Sequence, residues 1–282
     1  MTSQNVEDKD KTREDLLKEL EIQKWGLTKT NEAIKVLYKE LEKKNKELKK
    51  LDDLKSEFIN TVSHELRTPL TTIREVVSQV LEGILGPTTT EQKDFLTICL
   101  EDVDRLKRII DNLLDISKLE AGGFKLNRKE VNMVELAKGV IAIFSPKAAS
   151  MSLEIRGNFP SEKVIAYADN DSIIQVFTNV VGNAFKFCDK GYIEISVIDK
   201  PEYVECCVYD TGRGISEDDL SKVFGKFQQF NRLDGPGEKG TGLGLSISKS
   251  IVELHNGKIW VESELNAWTK FTFTLPKYNQ EV

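Results

Sequence analysis

The chain has only two histidines, and one of them, His64, has neighbours suited to proton transfer and nucleophilic attack. Glu65 is adjacent, and Thr68 lies one helical turn further on, so a carboxylate and a hydroxyl would cluster near the imidazole of a helix. Neutral imidazole, with a reference pKa of about 6.5, is a nitrogen nucleophile when a carboxylate accepts its other proton. The alternative, a histidine that only packs along an apolar seam, leaves these neighbours unexplained.

A second polar group recurs on one face of a predicted helix. Asn179 and Asn183 are four residues apart, and Lys186 follows one turn later. Amide oxygens and an ammonium group suit Mg2+ and a polyphosphate. Such residues are more often simply solvated, but apolar residues surround Asn183, and we therefore expect its side chain to be partly buried.

The segment from Tyr209 to Ile215 follows a predicted strand and carries an aspartate between glycines and an aromatic residue. Asp210 can accept hydrogen bonds from a base amine, and Gly212 and Gly214 allow the backbone to approach a flat ring closely. A surface turn is one alternative. An aspartic protease is another, because Asp-Thr-Gly occurs there, but a single copy would have to form the carboxylate pair across a dimer.

A glycine-rich segment, residues 235–245, leads directly into an apolar helix. Glycine N–H groups at a helix N-terminus form an anion site for phosphates. The segment does not fit the dinucleotide fingerprint, because Leu245 stands at the third glycine, or the P-loop, because Lys239 precedes its glycine. A plain flexible loop explains neither the density of glycines nor the immediate start of a helix.

The elements that must position these residues begin with a heptad pattern between about Arg13 and Leu54. Two interleaved apolar series make up the pattern, and polar residues interrupt the second. Their members are Leu20, Leu27, Ile34, Leu41 and Leu48, and then Leu37, Leu51 and Phe58. The three-four offset is typical of a coiled-coil seam, and we expect parallel dimerisation.

A helical hairpin is predicted next. The first arm runs from Ser56 to Gly83, residues 85–90 contain helix terminators, and the second arm runs from Glu91 to about Leu119. The second arm carries more apolar surface than one hairpin can bury. We therefore expect two hairpins to pack as a four-helix bundle in a dimer.

Residues 121–123 are predicted to form a hinge, after which the pattern changes to mixed helices and strands. We expect a mixed or antiparallel sheet with helices on one face. The predicted strands are Tyr192–Ile198, Tyr203–Tyr209, Lys258–Glu262 and Lys270–Leu275, and the predicted helices are Val134–Phe144, Asp171–Phe187 and Leu243–Leu254. The predicted fold class is multidomain, with an α part followed by an α+β part.

Composition excludes several classes of function. The net charge of -6 argues against a nucleic-acid-binding protein. No run approaches the roughly 18 apolar residues of a membrane span, and we expect a cytoplasmic chain without membrane insertion, although part of a membrane receptor would show the same pattern. The four cysteines have neither disulfide nor zinc spacing, so reduced thiols are expected: Cys99, Cys188, Cys206 and Cys207.

Residues from about Lys55 to Pro276 resemble the bacterial two-component sensor histidine kinases, because the phosphoacceptor, asparagine and two glycine boxes occur in that order. The resemblance implies a dimeric helical bundle that carries the phosphoacceptor, joined to an ATP-binding α/β sandwich shared with gyrase-like ATPases. The implied domains are a coiled-coil signalling helix (1–55), a dimerisation and phosphotransfer hairpin (56–121), a hinge linker (122–130) and a catalytic ATP-binding domain (131–282).

The resemblance also implies a role for individual residues. His64 is the implied phosphoacceptor, Glu65 its proton acceptor, and Thr68 the residue that orients water for dephosphorylation of a partner. Asn183 is the implied Mg2+ ligand, and Asp210 the implied adenine-binding aspartate. The other implied ATP-binding residues are Asn179, Lys186, Gly212, Gly214, Ile215, Phe227, Lys239, Gly240, Thr241, Gly242, Leu243, Gly244 and Leu245. Phe224 joins Phe227 in the aromatic box, and His255 is structural.

The implied activity is autophosphorylation of His64 by ATP in a homodimer, followed by transfer to an aspartate of a response regulator receiver domain. A phosphatase activity toward that regulator, with Thr68 orienting the water, is implied as well. One segment departs from the family. The chain reads Asn266-Ala267-Trp268-Thr269 where a Gly-x-Gly-Thr often stands, which puts the last glycine contact in doubt. A scaffold whose ATP domain only senses nucleotide is the remaining alternative.

Overall fold

The computed structural model describes residues 13–228 and 241–277, and the chain divides into two units, residues 1–58 and 59–282. Helices and strands follow one another in an order that confirms the predicted class, a helical region followed by an α/β domain. The helices of the first region are α1 (Arg13–Leu81) and α2 (Thr90–Glu120). No helix within the described ranges is both long enough and apolar enough to cross a membrane.

The α/β domain contains the remaining elements. In chain order they are β1 (Lys129–Asn132), α3 (Met133–Ser150), β2 (Glu154–Asn158), β3 (Ile165–Ala168), α4 (Asn170–Phe187), β4 (Tyr192–Asp199), β5 (Tyr203–Asp210), α5 (Glu217–Leu220), α6 (Gly244–Leu254), β6 (Ile259–Glu264) and β7 (Trp268–Pro276).

The heptad positions of α1 lie exposed in the single chain. All eight residues of the two apolar series are between 43% and 69% exposed. Full burial of one such side chain stabilises by about 1.5–3 kcal/mol, so a continuous row of them in water is unfavourable. The coiled coil stays a prediction, and this exposed row supports it.

Two ion pairs join the hairpin helices in the second unit. Arg67 pairs with Asp111, and Arg74 pairs with Asp104, each at 2.7 Å. The partners are seven residues apart on both helices but run in opposite directions, which is the register of an antiparallel hairpin. The predicted hairpin is therefore observed, with its turn at residues 82–89.

An apolar surface remains uncovered on the hairpin. Six large apolar residues of its two arms are between 44% and 62% exposed: Leu66, Ile73, Val76, Phe95, Ile98 and Leu106. This is the excess that the sequence predicts for the second arm, and it extends to the first. A second hairpin would cover it in a four-helix bundle.

Five strands form one mixed sheet in the order β2-β4-β5-β7-β6. Strand β2 is parallel to β4, and the other three pairings are antiparallel, while β1 and β3 form a separate antiparallel pair. Alternate residues of β4, such as Ile193 and Ile195, are fully buried in the core that the sheet shares with α3, α4 and α6. Phe177 of α4 meets Phe273 of β7 edge to face at 5.0 Å.

The structure differs from the sequence prediction in its short elements. Strands β1, β2 and β3 and helix α5 were not predicted, because four or five residues give too little periodicity. Helix α3 continues six residues beyond Phe144 although Pro146 lies inside it. Ala148 in the last turn is buried in the core, and this packing offsets the loss of the backbone hydrogen bond that the proline removes.

The start of α2 provides a test of the hairpin. The Thr89 hydroxyl accepts a hydrogen bond from the Gln92 N–H, and the Gln92 side chain accepts one from the Thr89 N–H, which is a capping box. We expect Thr89→Ala to lower the free energy of unfolding by about 1 kcal/mol, measured by urea denaturation followed by circular dichroism. Thr97→Ala is the control, because this mid-helix hydroxyl bonds only its own helix at Lys93. Equal effects of both substitutions would contradict the role of the cap.

Candidate functional site

The side chain of His64 is exposed on α1, next to the buried Ser63. Glu65 and Thr68 are exposed on the same segment of helix. The Thr68 hydroxyl donates to the His64 backbone carbonyl at 3.5 Å, and no hydrogen bond in the described part of the chain joins Glu65 to the ring. The imidazole is therefore accessible to a second reactant, and it has not been sealed into the apolar face of the hairpin.

The two asparagines of α4 have different surroundings. Asn183 is partly buried, as its apolar neighbours predict, and within residues 13–228 and 241–277 its side chain has no hydrogen-bond partner. The Asn179 amide donates to the Gly244 carbonyl at 3.1 Å and to the Ser248 hydroxyl at 3.2 Å. Asn179 thereby ties α4 to the first turns of α6, a role that spacing alone did not reveal.

Lys186 lies exposed in the last turn of α4, where its ammonium group is 5.0 Å from the centre of the Phe187 ring. A lysine at the C-terminal end of a helix interacts favourably with the helix dipole. Its side chain lies at the end of the same helix that carries the asparagines.

Asp210 ends β5 and is only 4% exposed. Its Oδ1 accepts the Gly212 N–H at 2.9 Å. Burial, only partly offset by that hydrogen bond, raises the pKa of Asp210 to about 6. A carboxyl this deeply buried, with a hydrogen bond inside its own domain, is poorly placed to share a proton with the carboxylate of a second chain, which argues against a protease dyad across a dimer.

The loop after Asp210 is held by hydrogen bonds to α4 and to β6. The Arg213 N–H donates to the Phe187 carbonyl at the end of α4, at 3.1 Å. The Ile215 N–H donates to the Ser263 hydroxyl of β6 at 2.8 Å. Gly214 has a φ of +67°, and a side chain there would collide with the Glu264 carbonyl, so this position requires glycine.

The departure from the family pattern at residues 266–269 leaves the β6–β7 turn intact. Asn266 adopts a φ of +62°, a conformation that asparagine tolerates better than most residues. Its N–H donates to the Arg213 carbonyl at 2.6 Å, which joins this turn to the loop after Asp210. Trp268 stacks on Tyr209 at a ring distance of 5.9 Å.

The described part of the glycine-rich segment begins at Thr241. The Thr241 hydroxyl accepts the Leu243 N–H at 3.2 Å, Leu243 is buried, and α6 begins at Gly244. Gly242 has a φ of +71°, and its carbonyl accepts the Phe227 N–H at 2.9 Å. The helix start predicted for this segment is observed, and Leu245 lies within its first turn.

Two predicted residues of this segment, Lys239 and Gly240, lie outside the described residues. The two aromatic residues before it differ from each other. Phe224 packs edge to face on Phe271 at 6.2 Å, whereas Phe227 is 66% exposed with a φ of 60°.

Helix α4 brings the predicted clusters together. Its last residue, Phe187, contacts the loop after Asp210, and its residue Asn179 contacts the beginning of α6. The amides of Asn179 and Asn183, the Asp210 carboxylate and the N–H groups at the start of α6 therefore lie around the C-terminal half of α4. We call this region the α4–α6 site. This arrangement can bind a planar base at one side and an anionic chain at the other.

The sequence interpretation missed the role of Thr211. Its hydroxyl accepts the Tyr192 N–H at 3.0 Å and lies 3.2 Å from the Lys190 carbonyl. It thereby joins the end of β5 to the beginning of β4 beside Asp210. Threonine hydroxyls commonly bond backbone groups close to them in sequence, but these bonds join residues 19 and 21 apart, so the Asp-Thr-Gly motif gave no signal for them.

Helix α2 approaches the glycine-rich segment through its polar side. The Asn112 amide donates to the Thr241 hydroxyl at 3.3 Å, and Gln175 of α4 donates to Asp115 at 2.7 Å. Lys226 pairs with Glu120 at the end of α2. The hairpin and the α4–α6 site are thus in direct contact within the second unit.

The raised pKa of Asp210 predicts a pH-dependent stability. The contribution of a carboxyl whose pKa rises from 3.8 to about 6 on folding is fully present below pH 3.8 and is lost as the pH rises through about 6. Above that range the ionised group costs at most about 3 kcal/mol. We expect Asp210→Asn to unfold at higher denaturant concentration than the unsubstituted chain near neutral pH, with the difference shrinking toward pH 4. The exposed Asp189→Asn is the control, and a pH-independent difference would contradict the assignment.

Two family models match the chain. The His Kinase A (phospho-acceptor) domain matches residues 54–122, and the Histidine kinase-, DNA gyrase B-, and HSP90-like ATPase matches residues 168–279. The first contains His64 and the hairpin, and the second contains α4, the loop after Asp210 and α6.

Curated relatives agree with both models. The sensor histidine kinase WalK of Bacillus subtilis is 34% identical over 242 residues, which are 83% of this chain and 38% of WalK. The sensor protein SrrB of Staphylococcus aureus is 34% identical over 229 residues, 80% of this chain and 39% of SrrB. The chain therefore spans less than half the length of these relatives.

Solved structures show the same architecture. Full-length ShkA in complex with AMPPNP has 29% identity and a TM-score of 0.67, over 78% of this chain and 45% of ShkA. The Acinetobacter baumannii histidine kinase AdeS has 22% identity and a TM-score of 0.55, over 77% of this chain and 98% of that chain, and it supports the fold alone. The two domain models and the sensor kinase relatives show that this chain belongs to the two-component sensor histidine kinases.

Proposed function

We propose that the chain is an ATP-dependent protein histidine kinase that phosphorylates His64 and passes the phosphoryl group to an aspartate of a response regulator. The observation that carries the proposal is the contact between hairpin and site. Asn112 bonds Thr241 of the glycine-rich segment, while the adjacent Asp111 pairs with Arg67, three residues from His64. An exposed imidazole and an anion-binding loop therefore border the same part of α2.

The α4–α6 site fits ATP. Asp210 accepts a hydrogen bond from the adenine amino group, and Gly212, Gly214 and Ile215 line the base. The N–H groups of Gly242, Gly244 and Leu245 at the start of α6 face the phosphates, while the Leu243 N–H is held by the Thr241 hydroxyl. Lys186 supplies a positive charge at the end of α4. The AMPPNP in the ShkA structure supports this assignment, because AMPPNP is an analogue of ATP.

Mg2+ fits the same site. Asn183 offers a partly buried amide oxygen without a partner among the described residues. Within those residues no three carboxylate, histidine or cysteine side chains form a metal cluster. Mg2+ usually takes few protein ligands and fills its shell with water and substrate phosphates, so one amide beside ATP is sufficient. The ion would neutralise charge on the transferred phosphoryl group.

The reaction requires positioning more than covalent chemistry by the protein. A neutral nitrogen of His64 attacks the γ-phosphorus, the bond to the bridging oxygen breaks, and ADP leaves. Glu65 accepts the proton from the other ring nitrogen, which keeps the developing imidazolium charge small. Gly122, with a φ of +66°, lies in the linker where the α/β domain would rotate toward the hairpin.

A homodimer is part of the proposal. The exposed apolar rows of α1 and of the hairpin would be buried against a second copy, as a coiled coil and a four-helix bundle. A response regulator would dock at the exposed side chain of His64. Because the proposed reaction consumes ATP, it would take place in the cytoplasm.

A phosphatase activity toward the regulator is a further part of the proposal. Thr68 is exposed one turn from His64, so its hydroxyl can orient a water molecule toward a phosphoaspartate held there. Among the described residues the Thr68 hydroxyl forms one hydrogen bond, to the His64 carbonyl, which is long at 3.5 Å and leaves the hydroxyl oxygen able to accept another.

Autophosphorylation is tested with γ-labelled ATP. We expect the unsubstituted chain to take up label that is acid-labile, as a phosphoramidate is, and His64→Gln to take up none while still binding ATP. His255→Gln is unsuitable as a control because that residue is buried, so the exposed Glu82→Gln serves instead. ATP binding without labelling of the unsubstituted chain would favour the scaffold alternative.

The role of Thr68 is tested with a phosphorylated response regulator. Thr68→Ala should slow regulator dephosphorylation by at least about tenfold while autophosphorylation stays within about twofold, because only the first reaction needs an oriented water. Thr72→Ala, one turn further on and also exposed, is the matched control. Equal loss of both activities in Thr68→Ala would show that the residue supports the helix instead.

A further inference from the structure

His255 joins the two helices that carry the proposed nucleotide site. It is the C-cap residue of α6, and its side chain is fully buried. Its Nε2 accepts the backbone N–H of Asp169 at 2.9 Å, and its Nδ1 lies 2.8 Å from the Ile251 carbonyl. Asp169 is the N-cap residue of α4.

These two contacts determine the state of the ring. A carbonyl oxygen only accepts, so Nδ1 carries the proton and donates to Ile251, and Nε2 is the acceptor. Both nitrogens of the neutral ring are therefore satisfied. Burial lowers the pKa of His255 from its ordinary value, and the charge of Arg128 lowers it further, whereas the charge of Asp169 raises it. The lowered pKa favours the neutral form that this arrangement needs.

Asp169 connects the same point to the linker between the hairpin and the α/β domain. Its Oδ1 accepts the Ser172 N–H inside α4 at 3.0 Å, and its Oδ2 accepts the Asn127 N–H at 2.7 Å. Arg128, the next linker residue, donates to the Leu254 carbonyl at the end of α6. Two consecutive linker residues therefore bind the ends of both helices.

Helices α4 and α6 are consequently joined by polar contacts at two places. One is the contact of His255 with Asp169, and the other is the contact of Asn179 with Gly244 and Ser248 beside the glycine-rich segment. Two attachment points set the angle between the helices as well as their separation. A misplacement of about 1 Å in groups that hold a reacting phosphate can cost about 100-fold in rate.

We propose that His255 is a positioning residue of the nucleotide site, which holds α6 at the correct angle to α4 and, through Asp169, couples that angle to the interdomain linker. This inference rests on the proposed function, because it assigns the α4–α6 site to ATP. Loss of the Asp169 contact would leave a partly buried N–H unpaired and leave Asn179 as the remaining polar attachment of α6 to α4 among the described residues, so that the angle of α6, and with it the direction of its first N–H groups, could change.

Two substitutions separate the two hydrogen bonds of the ring. His255→Gln places an acceptor near the position of Nε2 and can keep the Asp169 contact, whereas His255→Asn places a donor near Nδ1 and can keep only the Ile251 contact. Each loses one bond, so their melting temperatures should be similar. We expect the Asn variant to bind a fluorescent ATP analogue about tenfold more weakly than the Gln variant, which should stay within about threefold of the unsubstituted chain.

Leu275→Ala is the control for lost stability. Leu275 is fully buried in β7, at the end of the sheet away from Asp210, because it pairs with Val204 while Asp210 pairs with Thr269. It should lower the melting temperature at least as much as the His255 variants and leave nucleotide affinity unchanged. The same ranking should appear in KM for ATP during labelling of His64.

Equal nucleotide affinities of the Asn and Gln variants would overturn the inference, as would an equal loss in Leu275→Ala, because both results describe a residue that only stabilises the fold. Failure of the proposed function is distinguishable, since it would appear in the unsubstituted chain as an absence of ATP binding. If the Asn variant does not fold, Arg128→Gln tests the linker contact, and unchanged affinity there overturns the coupling.

Discussion

The α/β domain depends on the burial of α4 between the sheet and α6. One face of this helix is almost completely enclosed, with Val176, Phe177 and Val181 at 0% exposure, and it forms the centre of the core. Because side chains three and four residues apart share a face, the apolar stripe also determines which way the polar stripe points. Asn179 and Asn183 are directed by the same packing that stabilises the domain.

The burial of Asp210 at the end of β5 costs free energy. A carboxylate at the buried end of β5 is less stable than the same group in water, which its raised pKa records. The protein keeps one hydrogen bond to it, from Gly212, and surrounds it with the rigid contacts of Thr211 and Arg213. In the proposed ATP site, such an acceptor would distinguish bases by their donors, because a ligand without a donor would leave the carboxylate unpaired.

The helical part obeys the same physics with a different outcome. Its leucines and phenylalanines are arranged as regularly as those of α4, but most remain exposed in one chain, and the ion pairs Arg67–Asp111 and Arg74–Asp104 only set the register of the hairpin. Surface ion pairs contribute little stability by themselves. The proposed association of two chains would remove this surface from water and would place two His64 residues in one bundle.

The sequence by itself determined the class of fold, the long helices, the four longer strands and the order of the chemical clusters, because each of these depends on local periodicity or on residue type. It did not determine the short strands, the extension of α3 past Pro146 or the different partners of Asn179 and Asn183. Nor did it reveal that His255 meets Asp169, 86 residues earlier in the chain. Those features depend on which surfaces meet when helices pack on the sheet, and a hydrogen bond between distant residues leaves no periodic signal in either segment.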